Sequence, residues 1–167
     1  MHDHAVAALT LCPTRPTAAL ARHFFTDGSF DRDKPHLGAW SFWEVHQDPG
    51  GFAFCRAAAG RSRDSVNIDE VKRASHSTVQ ELIAIIMVCV TIIQDESALP
   101  VTITSDSLPA MAIAEGKSMA HSHPQLGRLA AHVTRVARQQ AEITFIHTHA
   151  HQGHPWNEAA DSYAKLA

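Results

Sequence analysis

Four carboxylic acids lie within or next to stretches of the sequence that are predicted to form strands or helices, where a charged side chain is unfavourable unless it has a partner. They are Asp27 in an aromatic stretch, Glu81 before a long apolar run, Asp106 after β-branched residues, and Asp161 near the last residue. Acids gathered in one place would repel one another and raise each other's pKa values unless a divalent cation lay among them. Hard oxygen ligands suit magnesium or manganese, and a pair of such ions can activate a water and stabilise the leaving oxygen of a phosphodiester.

Each acid also has a simpler structural interpretation. Asp27 with Gly28 could form only a turn, Glu81 could be half of a helix cap, and Asp106 could be an N-cap. Asp161 could pair with Lys165 on the same helix. The functional interpretation therefore depends on the set of four acids and on the elements that bring them together.

Three strand candidates come first along the chain, at residues 23–30, 37–46 and 51–58. The Gln-Asp-Pro-Gly sequence at 47–50 supplies turn chemistry, so the second and third strands are predicted to form a hairpin. Residues 59–76 are polar and are predicted to be a loop or a short extra element.

The apolar run at 82–93 is rich in β-branched residues, which favours a strand, but it is long for one. Ser77 with Gln80, and Thr78 with Glu81, both fit the spacing of a capping box. The sequence therefore predicts a buried helix over residues 78–94.

The remaining elements alternate between strand and helix. Strands are predicted at 100–105 and 142–149, and helices after Asp106, over 125–139, and from Pro155 onward. Three consecutive strands followed by alternating units predict an α/β fold with a mixed sheet and helices packed against it.

Composition excludes several classes of protein. With 167 residues, 45% hydrophobic and 19% charged, the chain can build a core and is not a disordered polyampholyte. Its net charge of −3 argues against a generally basic nucleic-acid binder. The longest uncharged apolar stretch, 82–94, is shorter than the roughly 18 residues of a membrane helix, so a transmembrane protein is not expected.

Residues 1–22 are predicted to be a poorly ordered leader or linker, and residues 23–167 a single domain. The short apolar stretch at residues 5–12 is preceded by Asp3 and by no Lys or Arg, so a signal peptide is not expected. The three cysteines form no CxxC pair, which argues against a disulfide framework and a thiolate zinc site. An intracellular location, in cytoplasm or nucleus, is expected rather than secretion.

Four motifs in order along the chain resemble those of the ribonuclease H family, both type 1 enzymes and reverse-transcriptase ribonuclease H domains. They are Phe-Thr-Asp-Gly-Ser at 25–29, Gln-Glu-Leu at 80–82, Ser-Asp-Ser at 105–107, and residues 150–161, which follow the pattern A-H-x-G-x-x-x-N-E-x-A-D. The resemblance runs from about residue 24 to the last residue. It implies a ribonuclease-H-like fold, with a five-stranded mixed sheet whose first three strands are antiparallel, flanked by helices.

The resemblance also implies an activity, namely magnesium-dependent hydrolysis of the RNA strand of RNA–DNA hybrids, which leaves a 5′-phosphate and a 3′-hydroxyl. Two Mg²⁺ ions, with Mn²⁺ as a substitute, would be held by the four acids. His151 would assist proton transfer and product departure from a mobile loop. The residues implied to contact substrate are Gly28, Ser29, Ser77, Thr78 and Asn157.

The chain departs from the family pattern in places that concern hybrid binding rather than the metal ligands. The interval between Asp27 and Glu81 is long, which predicts an insertion within 59–76. Ser77, Thr78 and Leu108 stand where many relatives have amide side chains. A basic protrusion is absent between 116 and 128, and a substitute set is conceivable from Arg56, Arg61, Arg63, Lys72 and Arg73.

Several alternatives remain open. The chain could be a catalytically weak or inactive nucleic-acid-binding module of the same fold, or the ribonuclease domain of a retroelement polyprotein. It is otherwise expected to be a monomer that does not bind membranes. A zinc or nickel site could form from His147, His149, His151 and His154, since imidazole suits those ions. The alternating Trp40, Phe42, Phe52 and Phe54 could form a base-stacking face but are better explained as paired core strands.

Overall fold

The structure is a computed structural model that describes residues 8–9, 19–73 and 76–149. Its strands are β1 (Ala8–Leu9), β2 (Ala21–Ser29), β3 (Ala39–Asp48), β4 (Gly51–Arg61), β5 (Val101–Ser105) and β6 (Ile143–His147). They form one sheet in the order β1-β4-β3-β2-β5-β6. The strands β2, β3 and β4 pair antiparallel, whereas β5 pairs parallel to both β2 and β6. The predicted mixed sheet of five strands is confirmed, and the two-residue β1 is added at its edge.

The helices are α1 (Ser62–Ser65), α2 (Asp69–Lys72), α3 (Thr78–Asp95), α4 (Leu108–Ala114) and α5 (Pro124–Gln140), with a 3₁₀ turn at Pro35–Leu37. Each predicted element within the described residues is present, with ends shifted by a few positions. The polar segment 59–76 contains α1 and α2, each a single turn. The helix predicted from Pro155 lies outside the described residues.

Two features bear on the predicted boundary between leader and domain. The strand β2 begins at Ala21, and Arg22 is fully buried in it, so the sheet starts before residue 23. The backbone of β1 pairs with β4 through Ala8 and Leu9, which lie within the segment predicted as a leader.

Helix α3 is the centre of the hydrophobic core. It packs against β2, β3, α4 and α5, and its apolar residues from Val79 to Ile92 are largely inaccessible to solvent. By length and mean hydropathy (1.6) it could cross a membrane, yet 61% of it is buried inside the protein. The length of the apolar run was therefore not sufficient evidence against a membrane span. The burial of α3 against the sheet and the other helices is typical of the core helix of a globular domain.

The capping boxes predicted for α3 do not form. Ser77, the N-cap residue, is in the helical region of backbone conformation and makes no side-chain capping bond. Its carbonyl accepts hydrogen bonds from the backbone amides of Gln80 and Glu81. The helix prediction was right, but its stability comes from burial of the apolar residues and not from the predicted caps.

The aromatic residues of the hairpin are divided between core and surface. Trp40 and Phe42 lie in the core, and Phe24 packs edge-on against Phe42. Phe52 is 59% exposed and Phe54 packs against Trp43 outside that core. The interpretation of all four as paired core aromatics is thus correct for the first pair only.

A buried ionic network lies at the end of the sheet away from the acids predicted as metal ligands. Glu44 accepts hydrogen bonds from Arg22 Nε (2.6 Å) and Arg56 Nε (2.5 Å), and both arginines also pair with Asp95 at the end of α3. His46 Nε2 lies 2.9 Å from Glu44 Oε1. Because Arg56 is committed to this network, it is not part of a basic surface for nucleic acid.

Candidate metal centre

Three of the four predicted acids converge at one edge of the sheet. Asp27 lies near the carboxyl end of β2, and Asp106 follows the carboxyl end of the parallel neighbour β5. Glu81 lies in the first turn of α3, which packs against β2. Carboxylate oxygens of all three residues lie within 4.8 Å of one another. The fourth acid, Asp161, lies outside the described residues.

Gly28 permits this convergence because it lets β2 approach the start of α3 closely. A Cβ at this position would lie 2.6 Å from the backbone nitrogen of Glu81 and 2.7 Å from Gln80 Cβ, distances that real side chains do not tolerate. The Gly28 amide donates hydrogen bonds to Glu81 Oε1 (2.8 Å) and to Asp27 Oδ1 (2.9 Å). This single amide therefore holds two of the acids side by side.

The three acids perturb one another strongly. Glu81 is only 5% exposed, and burial raises the pKa of its carboxyl well above the usual range. The negative charges of Asp27 and Asp106 raise this pKa further, while the hydrogen bond from the Gly28 amide opposes the shift. Without a cation the charged form of Glu81 is thus disfavoured by its surroundings.

The residues present fit a divalent cation. Glu81 Oε2 is buried, and among the described residues no hydrogen-bond donor reaches it. A buried carboxylate oxygen without a donor, beside two further carboxylates, is the arrangement that a metal ion would satisfy. The group contains oxygen ligands alone, which favours Mg²⁺ or Mn²⁺ over zinc.

The simpler interpretations of these three acids are wrong. Asp27 is in the extended strand β2 and not in a turn. Glu81 makes no capping bond to Thr78: its Oε1 accepts from the Gly28 amide, and its Oε2 has no partner among the described residues. The N-cap of α4 is Ser107, whose Oγ accepts a hydrogen bond from the Ala110 amide (3.3 Å), so Asp106 is not the cap.

The predicted substrate-contacting residues lie around this group of acids where the structure describes them. Ser29 ends β2, Ser77 is exposed, and the half-buried Thr78 begins α3 three residues before Glu81. Their contact with substrate stays a prediction, whereas Gly28 has the structural role described above. Asn157 and His151 lie outside the described residues.

Sequence reasoning missed two neighbours of the acids. Gln80 is fully buried beside Glu81 and packs against Gly38, where an added Cβ would lie 2.6 Å from Gln80 Nε2. His147 Nε2 lies 3.2 Å from the carbonyl oxygen of Asp106. A signal for His147 was available, since it ends the strand that pairs with β5, next to Asp106.

The histidine-based zinc hypothesis gains no support from the part of the chain that the structure describes. The rings of His147 and His149 lie 5.0 Å apart, and the other two predicted ligands, His151 and His154, lie outside it. In the described ranges a second group of potential ligands comprises Glu44, His46 and Cys55. Both oxygens of Glu44 already accept hydrogen bonds from arginines, which disfavours a further cation there.

The sequence and the fold together identify the family. The RNase H family model matches residues 20–167, and the chain belongs to the RNase H family. No curated protein matches the chain significantly.

Solved structures have the same fold at low sequence identity. One is LC9-RNase H1, a type 1 RNase H with the type 2 active-site motif, with 17% identity and a TM-score of 0.64 over 92% of this chain and 74% of that chain. Another is the N-terminal RNase H domain of Rv2228c from Mycobacterium tuberculosis, solved as a fusion with maltose-binding protein. It has 15% identity and a TM-score of 0.60, covering 89% of this chain and 94% of that chain. The likeness of both structures concerns the fold.

Proposed function

We propose that this protein is a magnesium-dependent endonuclease that hydrolyses the RNA strand of RNA–DNA hybrids and leaves a 5′-phosphate and a 3′-hydroxyl. The observation that carries the proposal is the convergence of Asp27, Glu81 and Asp106 within 4.8 Å, in a chain of the RNase H family. Glu81 Oε2, buried and without a donor among the described residues, supports a cation in this place.

Each residue has a defined part in this proposal. Asp27, Glu81 and Asp106 would hold the cations, together with Asp161. Two divalent ions bound there would supply an activated water and stabilise the leaving oxygen of an in-line displacement. The Gly28 amide fixes the orientation of Asp27 and Glu81 before substrate arrives. His151 would assist proton transfer and product departure.

Selection of the hybrid would come from contacts to 2′-hydroxyls across the minor groove. Ser29, Ser77 and Thr78 flank the acids in the sequence and are the side chains we assign to these contacts, with Asn157. The exposed Ser77 and the half-buried Thr78 are accessible at the start of α3. We expect the protein to act in the cytoplasm or nucleus as a monomer, or as a domain of a reverse-transcriptase polyprotein.

The second candidate is a module of the same fold that binds nucleic acid with weak or no cleavage. The exposed Leu108 favours it, since relatives often have an amide at this position that contacts the hybrid. The three mutually repelling carboxylates argue against it, because a protein that only binds has no need of an arrangement that disfavours ionised Glu81.

A cleavage assay separates the two candidates. The purified chain is incubated with labelled RNA–DNA hybrid, duplex RNA and duplex DNA, each with Mg²⁺ and with EDTA. We expect cleavage of the hybrid RNA strand with Mg²⁺ alone, its loss in Asp106→Asn, and its retention in Asp33→Asn, which changes an exposed acid in the β2–β3 connection. Tight hybrid binding without turnover across Mg²⁺ and Mn²⁺ titrations would support the second candidate.

A further inference from the structure

His123 is a buried imidazole that lies immediately before the first residue of α5 and is only 5% exposed. Both of its ring nitrogens are inaccessible to solvent, and among the described residues neither nitrogen forms a hydrogen bond. Buried polar side chains in native proteins nearly always have a partner. A buried ring with two unpartnered nitrogens therefore indicates a ligand that the described part of the chain does not supply.

A second histidine lies against this ring. The ring centres of His76 and His123 are 5.2 Å apart, and their planes are inclined by 54°. Two imidazoles bound to one tetrahedral zinc ion, with zinc–nitrogen distances of about 2.0–2.1 Å, have ring centres roughly 5 Å apart. The observed separation is thus the one that a shared ion requires. His76 is half-buried, so an ion can reach the pair from solvent.

The charges around the pair also suit a cation. Burial lowers the pKa of His123 and repulsion from His76 lowers it further, while the negative charge of Glu70 opposes the shift. The His123 ring is therefore neutral at pH 7, which is the form of imidazole that binds metals. Glu70 accepts hydrogen bonds from the backbone amides of Gln125 (3.0 Å) and Leu126 (2.9 Å). These bonds fix its carboxylate near the pair as a compensating charge, and we do not count it as a ligand.

We propose that His76 and His123 together bind a Zn²⁺ ion, with water in the remaining coordination positions. Imidazole ligands favour zinc and its transition-metal neighbours over Mg²⁺, so this site differs in ion preference from the group of acids. The ion would link the segment between α2 and α3 to the start of α5 and stabilise that junction. The pair is separate from the histidines near the last residues that the sequence suggested as zinc ligands.

Zinc binding is measured by isothermal titration calorimetry at pH 8, with excess Mg²⁺ to compete at the group of acids. The chain has 13 histidines, so the informative quantity is the difference between the wild type and its variants. Loss of an outer-shell partner alone lowers metal affinity roughly 10–100-fold, and we expect His76→Ala to weaken this site by at least about 100-fold. The matched control is His132→Ala, which removes an exposed histidine of α5 and should leave the site unchanged.

A substitution at His123 separates loss of the ion from loss of the fold. His123→Leu replaces the unpartnered ring with an apolar side chain, so in EDTA its melting temperature should not fall below that of the wild type. Added Zn²⁺ should raise the melting temperature of the wild type and of His132→Ala by more than that of His76→Ala or His123→Leu.

The ion is located by nuclear magnetic resonance of the histidine ring nitrogens. Zinc should shift the signals of His76 and His123 together, at one equivalent. Equal zinc affinity and stoichiometry in the wild type, His76→Ala and His123→Leu would overturn the proposal. So would zinc uptake that is kept in His76→Ala and lost when His147 and His149 are both replaced by alanine. Hybrid cleavage does not enter these measurements, so this proposal and the proposed function can fail separately.

Discussion

Gly28→Ala tests whether the close approach of β2 to α3 builds the acidic site. The added Cβ would lie 2.6 Å from the Glu81 backbone nitrogen and 2.8 Å from the Gln80 carbonyl carbon. These are backbone atoms, so no side chain can rotate away to make room. Reaching an ordinary contact of 3.4 Å requires the strand and the helix to separate by about 0.8 Å.

This separation has a cost in stability and a larger cost in function. Overpacking of this kind destabilises a fold by about 1–3 kcal/mol, which for a chain of this size lowers the melting temperature by roughly 2–12 °C. The shift also lengthens the hydrogen bond from the Gly28 amide to Glu81, now 2.8 Å. A displacement of about 1 Å in a catalytic group can lower the rate about 100-fold.

The assay combines denaturant unfolding with the rate of hybrid cleavage at saturating Mg²⁺. Gly50→Ala is the control, because its Cβ would meet just one atom, the Asp48 carboxylate oxygen at 3.3 Å, at the exposed turn of the hairpin. We expect Gly50→Ala to change stability by less than about 0.5 kcal/mol and leave cleavage intact. Wild-type stability and cleavage in Gly28→Ala would refute the reasoning.

Two further predictions concern buried groups away from the site. Burial raises the pKa of Glu44, but hydrogen bonds from His46 and Arg22 and the charges of the arginines outweigh it and lower the pKa to about 2. Stability from Glu44 is therefore present above pH 4.5 and should be lost, by about 3 kcal/mol, as the pH falls from 4.5 towards 2 in denaturant titrations. Glu44→Gln should cost about 3–5 kcal/mol at pH 7 and flatten that pH dependence, and an unchanged profile would contradict the assignment. Burial raises the pKa of the Cys89 thiol to about 11. Because the thiol is protonated and inaccessible, peptide mapping after alkylation at pH 8 should find Cys89 unmodified until the protein unfolds. Rapid labelling of Cys89 in the native protein would be inconsistent with its burial.

The element order and the three described acids could be predicted because local patterns determine them. Strand alternation, turn residues and the long apolar run fixed each element to within a few residues. The acids were found because their types and order match one family, and Asp27 and Asp106 follow from the rule that parallel strands end at the same edge.

What could not be predicted depends on contacts between distant parts of the chain. The Glu44 network requires a β-bulge, in which Cys55 is the extra residue between the pairs Glu44–Arg56 and Val45–Phe54. A one-residue change of register decides which side chains share a face, and no local pattern marks it. The capping interaction predicted to start α3 was also wrong, because the Glu81 side chain accepts a hydrogen bond from the Gly28 amide and does not cap its own helix.

The basic residues predicted as a substitute set illustrate the same limit. The sequence predicted an insertion at 59–76 and a set of basic residues. It could not separate Arg56, which is bound to Glu44, from Arg63 and Lys72, which line a cavity between α1, α2 and the β2–β3 connection. That division follows from the fold of α1 and α2 against the β2–β3 connection.

The central claim is that Asp27, Glu81 and Asp106 together bind divalent cations. Titration of Mn²⁺, followed by the loss of free-ion signal in electron paramagnetic resonance, measures this binding without any substrate. We predict saturable binding by the wild type and by Asp33→Asn, and its loss or strong weakening in Glu81→Gln and Asp106→Asn. Equal Mn²⁺ binding by all four proteins would contradict the account.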